Sequence, residues 1–445
     1  MCCEMRPRFG FGSTVRRCIW PALCSSTKKL HVAVPPPPPL AARKKSKVIV
    51  ISGPTGAGKS RLALEVARRL GGEIVSADSV QVYRGLDVGS AKPSIEERSV
   101  VPHHLIDIVH PSEDYSAGTF FDDARRATQD VLDRGRVPVV AGGTGLYLRW
   151  FMYGKPDVPR SSVEIASSVR SELAGLRESG RWEDAVELVL QAGDPKARDL
   201  DTNNWVRLSR RLEIIRSSGS PPSAFALPYS SFQKQHETKL TDSPMDCQVK
   251  ELDYDFLCIF LACPRVELYR SIDLRCEEML ADTGRGLLSE ASWLLDIGLQ
   301  PNMDSASREM GYSASRAIGY RQTMEYLLHC RQNGGSSSPQ EFLEFLTKFQ
   351  QTSRNFSKRQ MTWFRNEKIY QWVDASWPFE AIVQFICDAY NGKVEMVVPE
   401  SLEMKRESCV HTSKDLKTYR SENRVFLGDE DCCHVLDWIR RTQRK

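Results

Sequence analysis

KVIVISGPTGAGKSRLALEVARRL, residues 47–70, holds the turn on which the reading of this chain depends. Lys47 to Ser52 is a short β-branched run, suited to a strand buried on both faces of a parallel sheet. It passes directly into Gly53, Pro54, Thr55, Gly56, Ala57, Gly58, Lys59 and Ser60, a full match to G-x-x-x-x-G-K-[ST]. An amphipathic helix follows. Strand, glycine-rich turn and helix in that order form a phosphate cradle. The glycines let backbone N–H groups turn inward, and the helix start adds the positive end of its dipole. Lys59 contributes a point charge, and the Ser60 hydroxyl is a candidate ligand for Mg²⁺ travelling with a polyphosphate. A chance surface loop is the competing reading, and the flanking strand and helix argue against it.

Downstream the alternation continues. EIVSADS at 73–79, HHLIDIV at 103–109, RVPVVAGGTG at 136–145 and LDYDFLCIFLACP at 252–264 read as further strands, and Ser116 caps a helix running to Asp133. Strands separated by helices predict an α/β fold, a P-loop NTPase-like parallel sheet flanked by helices. Between 156 and 250 helical patterns such as WVRLSRRLEIIRSS take over, with a polar stretch at 217–247. The chain therefore divides into a leader (1–46), a P-loop core (47–155 and 251–395), a helical insertion (156–250) and a polar tail without a legible motif (396–445).

The formal net charge of +4 hides an asymmetry. Residues 1–47 hold ten Lys/Arg against Glu4, a net +9, which leaves the rest with 51 basic and 56 acidic side chains, a net −5. Any grip on nucleic acid by the body must come from local patches. The leader is rich in Arg and Ser, poor in acid and lacks a long apolar run. A mitochondrial or plastid transit peptide is expected, with a disordered cytosolic extension as the alternative. No apolar run reaches membrane-span length. Thirteen cysteines without a secretory signal are expected to be reduced thiols. Cys409, His411, Cys432, Cys433 and His434 lack the C-x-x-C knuckle of structural zinc sites.

A P-loop that hydrolyses nucleotides normally holds its metal with a second carboxylate at the end of another strand. Here VPVVAGGTG ends in Gly142, Gly143 and Thr144, and the acid stands elsewhere, at Asp78. Ligands of open α/β sheets gather at the carboxyl ends of strands, so Asp78, Thr144 and the loop are expected to converge. A carboxylate beside a phosphate cradle suits a general base. SADS is equally good capping sequence, and position alone does not separate the two.

The stretch 76–93, SADSVQVYRGLDVGSAKP, turns this pattern into a resemblance. With GPTGAGKS (53–60), DIVHPSEDYSAGTF (107–120), GGTGLY (142–147), IGYRQ (318–322) and KRQMTWFR (358–365), the chain closely resembles the tRNA dimethylallyltransferases over about 47–390. The resemblance implies transfer of a dimethylallyl group from dimethylallyl diphosphate to the exocyclic amine of the adenine 3′ of the anticodon. It implies that Gly53, Thr55, Gly56, Ala57, Gly58, Lys59 and Ser60 grip the donor's diphosphate, with Mg²⁺ at Ser60 and no nucleotide hydrolysis, and that Arg316 contacts diphosphate or tRNA. Asp78 matches the general base, and Thr144 the residue near the donor's bridging oxygen. Ser79, Val80, Gln81, Arg207, Arg210, Arg321, Arg354, Lys358, Arg359 and Gln360 are implied to meet the anticodon stem-loop of tRNA, and a monomer is expected. The tail lacks the zinc finger of some eukaryotic relatives and in that respect resembles the bacterial enzymes.

The implied chemistry is coherent. An adenine amine is a poor nucleophile, so removing its proton as the bond forms helps. An allylic carbon tolerates positive charge, so the barrier rests largely on stabilising the departing diphosphate. The adenine must leave its stack, which requires an RNA-gripping surface. Arg354, Lys358, Met361 and Arg365 fall at i, i+4, i+7 and i+11 and are expected to share one helix face. A solvated face is the competing reading. Prenylation of free adenine nucleotides, as in cytokinin synthesis, is the nearest alternative activity. A small-molecule kinase and a non-enzymatic RNA-binding protein are more distant ones.

Overall fold

The computed structural model describes residues 45–159, 161–225, 228–229, 252–301, 314–395, 397–404 and 419–444. The leader to residue 44, most of the polar stretch at 217–247, and Cys409 and His411 lie outside the described residues.

Six parallel strands form the sheet: β1 (Lys47–Ser52), β2 (Glu73–Ser76), β3 (His103–His104), β4 (Pro138–Ala141), β5 (Asp255–Ala262) and β6 (Gln371–Asp374). Their order is β3-β2-β4-β1-β5-β6. Ile49 of β1 stands opposite Val139 on one side and Leu257 on the other. Val48 and Val50 enter one apolar core while Ile49 and Ile51 enter a second on the opposite face. Both faces are covered, which explains why β1 and β5 read as unbroken apolar runs. The chain leaves β1 for β2 past β4, while β5 flanks β1 on the other side. The P-loop therefore sits where the strand order reverses, the usual ligand position in such sheets.

In chain order the helices are α1 (Lys59–Leu70), α2 (Ile95–Val100), α3 (Ala117–Asp133), α4 (Gly145–Tyr153), α5 (Val163–Glu178), α6 (Trp182–Gln191) and α7 (Trp205–Ser218). They continue with α8 (Arg265–Ala281), α9 (Leu287–Asp296), α10 (Tyr320–Gln332), α11 (Pro339–Arg365), α12 (Phe379–Tyr390) and α13 (Cys433–Thr442). Leu62 and Val66 of α1 and Val383 and Ile386 of α12 fill one face of the sheet. Phe120, Leu148, Leu268, Leu288 and Met361, from α3, α4, α8, α9 and α11, belong to the other. Helices α5, α6 and α7 bury their own cluster around Trp182, Trp205 and Leu208.

Ser116 caps α3 as expected, accepting from the Thr119 amide. The strand expected over 103–109 ends at His104. Leu105 (φ 63°) and Asp107 (φ 57°) turn left-handed, and the Asp107 carboxylate is held by Lys92 and Arg98. Charge pairing overrides the apolar alternation there. The tail holds a further surprise. Residues 419–444, which carry no legible motif, pack onto the helical layer with Phe426, Val435 and Ile439 buried.

Candidate active site

The loop's glycines are where the backbone leaves no alternative. A Cβ on Gly53 would lie 2.4 Å from the Leu261 carbonyl oxygen of β5. Gly56 is left-handed (φ 83°), and a Cβ there would press on Ile272 of α8 at 2.9 Å. Lys59 folds back so that its Nζ donates to the Pro54 carbonyl at 2.9 Å. Beside the loop opens a cavity of about 500 Å³, lined by Lys59, Ser60, Asp78, Thr144, Arg275 and Arg316 among others.

The exits of β2 and β4 converge on this cavity as expected. Asp78 Oδ1 accepts from the amides of Val80 (2.8 Å) and Gln81 (3.3 Å), while Oδ2 has no hydrogen-bond partner among the described residues. The two readings of Asp78 are therefore compatible: one oxygen caps the turn and the other is open for a proton. Thr144 Oγ1 accepts from the Ser79 amide at 3.2 Å. The rest of the 76–93 motif is pinned by Glu290 of α9. Its carboxylate takes the amides of Asp87, Val88 and Gly89 and the Tyr320 hydroxyl, at 2.7–3.0 Å.

Arg275 of α8 was not singled out from the sequence. Its Nη1 approaches Thr55 Oγ1 at 3.4 Å, and it lines the cavity with Lys59. Its signal was present: Ile272, Arg275, Cys276 and Met279 share a helical stripe, and an arginine inside an otherwise apolar stripe requires a partner. Burial, and then the neighbouring Arg275 charge, push the Lys59 ammonium down to about 8, against the pull of Asp78. Two cations crowded around one loop, Lys59 depressed in part by Arg275, make a site that an anion relieves. Binding of an anion to this site should hold steady below pH 8 and weaken as Lys59 loses its proton above that value, by up to about tenfold per pH unit. Calorimetric titration with inorganic diphosphate from neutral to alkaline pH checks this.

Ser79, Val80, Arg316 and Arg359 also line the cavity. Exposed Arg207, together with Arg210, lies on α7, where Arg210 bonds Ser161 and Glu213 at 3.0 Å. Arg321 of α10 pairs with Glu325, and Lys358 of α11 is exposed. Gln81 and Gln360 line the cavity too and are held there by internal bonds. Gln81 accepts from Ser76 Oγ and donates to the carbonyls of Ser90 and Ala91, tying the motif to itself. Gln360 is buried and stitches two loops together: it accepts from the Thr55 amide at 2.9 Å and donates to the Gly143 carbonyl at 3.0 Å.

Arg354 does not face solvent. It pairs with Asp273 of α8, which is 2% exposed, and donates to Ser421 of the tail. Met361 on the same stripe is buried as well. The expected stripe is split: Arg354 and Met361 turn inward, where α8 supplies Arg354 with a matching carboxylate, while Lys358 stays exposed. Arg354→Ala should therefore cost about 3–5 kcal/mol of stability by stranding a buried carboxylate. A denaturant melt of the variant measures it.

The described residues contain no cluster of three metal-ligating side chains and no helix able to span a membrane.

The IPP transferase family model matches residues 81–367, and an Isopentenyl transferase model matches residues 46–104. tRNA dimethylallyltransferase 9 of Arabidopsis thaliana is 59% identical over 408 residues, covering 88% of this chain and 86% of that protein. The tRNA dimethylallyltransferase of Protochlamydia amoebophila is 37% identical, over 74% of this chain and 84% of its own. Among solved structures, a tRNA delta(2)-isopentenylpyrophosphate transferase from Staphylococcus epidermidis matches with a TM-score of 0.50 at 30% identity, over 79% of this chain and 100% of that one. A eukaryotic dimethylallyltransferase acting on tRNA shares the fold, with a TM-score of 0.59 at 24% identity over 81% of this chain and 82% of its own. With a family match over well more than half of its residues and relatives this similar along most of their length, the chain belongs to the IPP transferase family.

Proposed function

We propose that this protein is a tRNA dimethylallyltransferase, which transfers the dimethylallyl group of dimethylallyl diphosphate to the exocyclic amine of the adenine 3′ of the anticodon. The observation that carries the reading is one cavity lined by both a cationic phosphate cradle, Lys59 with Arg275, and a carboxylate with an open oxygen, Asp78. The C–O bond to diphosphate breaks as the N–C bond to the prenyl carbon forms, and Asp78 Oδ2 takes the amine proton. Lys59, Arg275 and the loop amides oppose the charge that develops on the leaving diphosphate. Thr144 lies within reach of Asp78's turn and is assigned the donor's bridging oxygen.

Ser60 lines the cavity, and its hydroxyl has no hydrogen-bond partner among the described residues. One hard oxygen ligand from the chain suits Mg²⁺ that arrives on a diphosphate and keeps its waters. Ser60 would hold it, and the ion would neutralise part of the diphosphate charge.

A tRNA acceptor is favoured over a free nucleotide by exposed cations at and beyond the cavity: Arg316 and Arg359 at its lining, Lys358 on α11, Arg207 and Arg210 on α7. These are assigned to the anticodon arm. Incubation with labelled dimethylallyl diphosphate and either tRNA or AMP tests the assignment. Label in tRNA is expected, and label in AMP alone would overturn it. The basic leader is read as a transit peptide for a mitochondrion or plastid, with cytoplasmic residence the alternative, and the enzyme as a monomer. Imaging of the tagged full-length chain and its sedimentation test these two.

A further inference from the structure

Helix α8 has two working faces. Ser271, Ile272, Arg275 and Met279 meet the P-loop and cavity: Ser271 Oγ donates to the Gly56 carbonyl at 3.1 Å, and Arg275 reaches Thr55. At 100° per residue, Asp273, Glu277 and Ala281 lie on the opposite side of the helix, spaced i, i+4, i+8. Each of those three is gripped by the C-terminal segment. Tyr419 Oη donates to Asp273 Oδ2 at 2.8 Å. Glu277, with no exposed surface, takes the amides of Arg424, Val425 and Phe426 at 2.8–3.1 Å. His434 Nε2 meets the Ala281 carbonyl, the last of the helix, at 3.1 Å.

The grip is anchored elsewhere too. Ser421 bonds Arg354, Asn423 bonds Gln350, and the Phe426 ring packs edge-on against Phe342 at 4.9 Å between centroids. At the far end Gln443 bonds Arg331 of α10 and also Ser292, which stands two residues along α9 from the Glu290 that pins the 87–89 turn. No carboxylate in this arrangement touches the cavity. Residues 419–443 also lie beyond the region matched by the family model, which ends at residue 367.

We propose that the C-terminal segment is a clasp that holds α8 in register with the P-loop, making Asp273, Glu277 and Tyr419 positioning residues for the Arg275 that meets the donor's diphosphate. A buried carboxylate accepting three amides fixes both the rotation and the height of its helix, because only one placement satisfies all three. Were the clasp loosened, α8 would shift against Gly56 and carry Arg275 out of line. A misplacement of about 1 Å at such a group costs on the order of a hundredfold.

The proposal rests on the donor-site reading given above, and the test separates the two. In the full chain, Glu277→Ala and the milder Tyr419→Phe are compared with the wild type for donor KM, tRNA KM, kcat and affinity for inorganic diphosphate. Glu277→Ala is expected to raise the donor KM and weaken diphosphate binding, by about 10–100-fold, with the tRNA KM unchanged. Tyr419→Phe should show the same pattern to a smaller degree, and Glu277→Gln, which keeps one acceptor oxygen, should restore part of the loss. Wild-type diphosphate affinity in a folded Glu277→Ala variant would overturn the clasp, as would a rise confined to the tRNA KM. If Glu277→Ala fails to fold, an unchanged donor KM in Tyr419→Phe overturns it equally. A wild type that labels no tRNA yet binds diphosphate would sink the functional reading and leave the clasp to be judged on diphosphate affinity alone.

Discussion

Asp78→Asn should slow single-turnover prenylation of tRNA by about 10²–10⁴-fold while leaving the turn at 78–81 intact. The amide oxygen of Asn can still accept from Val80 and Gln81, as Asp78 Oδ1 does at 2.8 and 3.3 Å. The side chain's other end becomes an NH₂ group that cannot take a proton. Asp78→Ala, by contrast, removes cap and base together. A helix or turn cap typically contributes about 1 kcal/mol, so the Ala variant should also lose stability. Donor binding should survive both changes, because a carboxylate near an incoming anion is not an attraction. A near-normal rate in Asp78→Asn with a slow Asp78→Ala would assign the residue to the turn alone, and another group would have to take the amine proton.

The second large effect is expected at Arg275. Arg275→Ala should lower kcat by about 10²–10³-fold, the usual loss when one preorganised donor to a developing negative charge is removed, and, like the clasp variants, should also raise the donor KM. A second readout moves the other way. Arg275 helps to hold the Lys59 ammonium down at about 8, so removing it should raise that value. The alkaline limb of donor kcat/KM should then shift to higher pH even as the rate falls. Arg275→Lys should keep the charge but lose the planar fork that spans two oxygens, and should fall between wild type and Ala. An unaltered alkaline limb in Arg275→Ala would show that the two cations do not share the site.

What the sequence determined by itself is what the backbone encodes over short distances. Residues 47–70 specify strand, cradle and helix because glycine spacing and the lysine lie within one turn of each other. The apolar runs at 73–76, 138–141 and 255–262 placed the strands, since a parallel sheet covered on both faces demands them. Asp78 and Thr144 were legible because strand ends in such a sheet point to one edge. Which charged groups face one another was decided only by the tertiary structure. Arg354 finds Asp273 across 81 residues, Arg275 meets Thr55 across 220, and Glu277 receives amides 147–149 residues away. A helical wheel gives the angle between side chains but not which angle points inward. That choice belongs to the partner helix, where a buried charge is tolerated only if its counter-charge or donors are already in place.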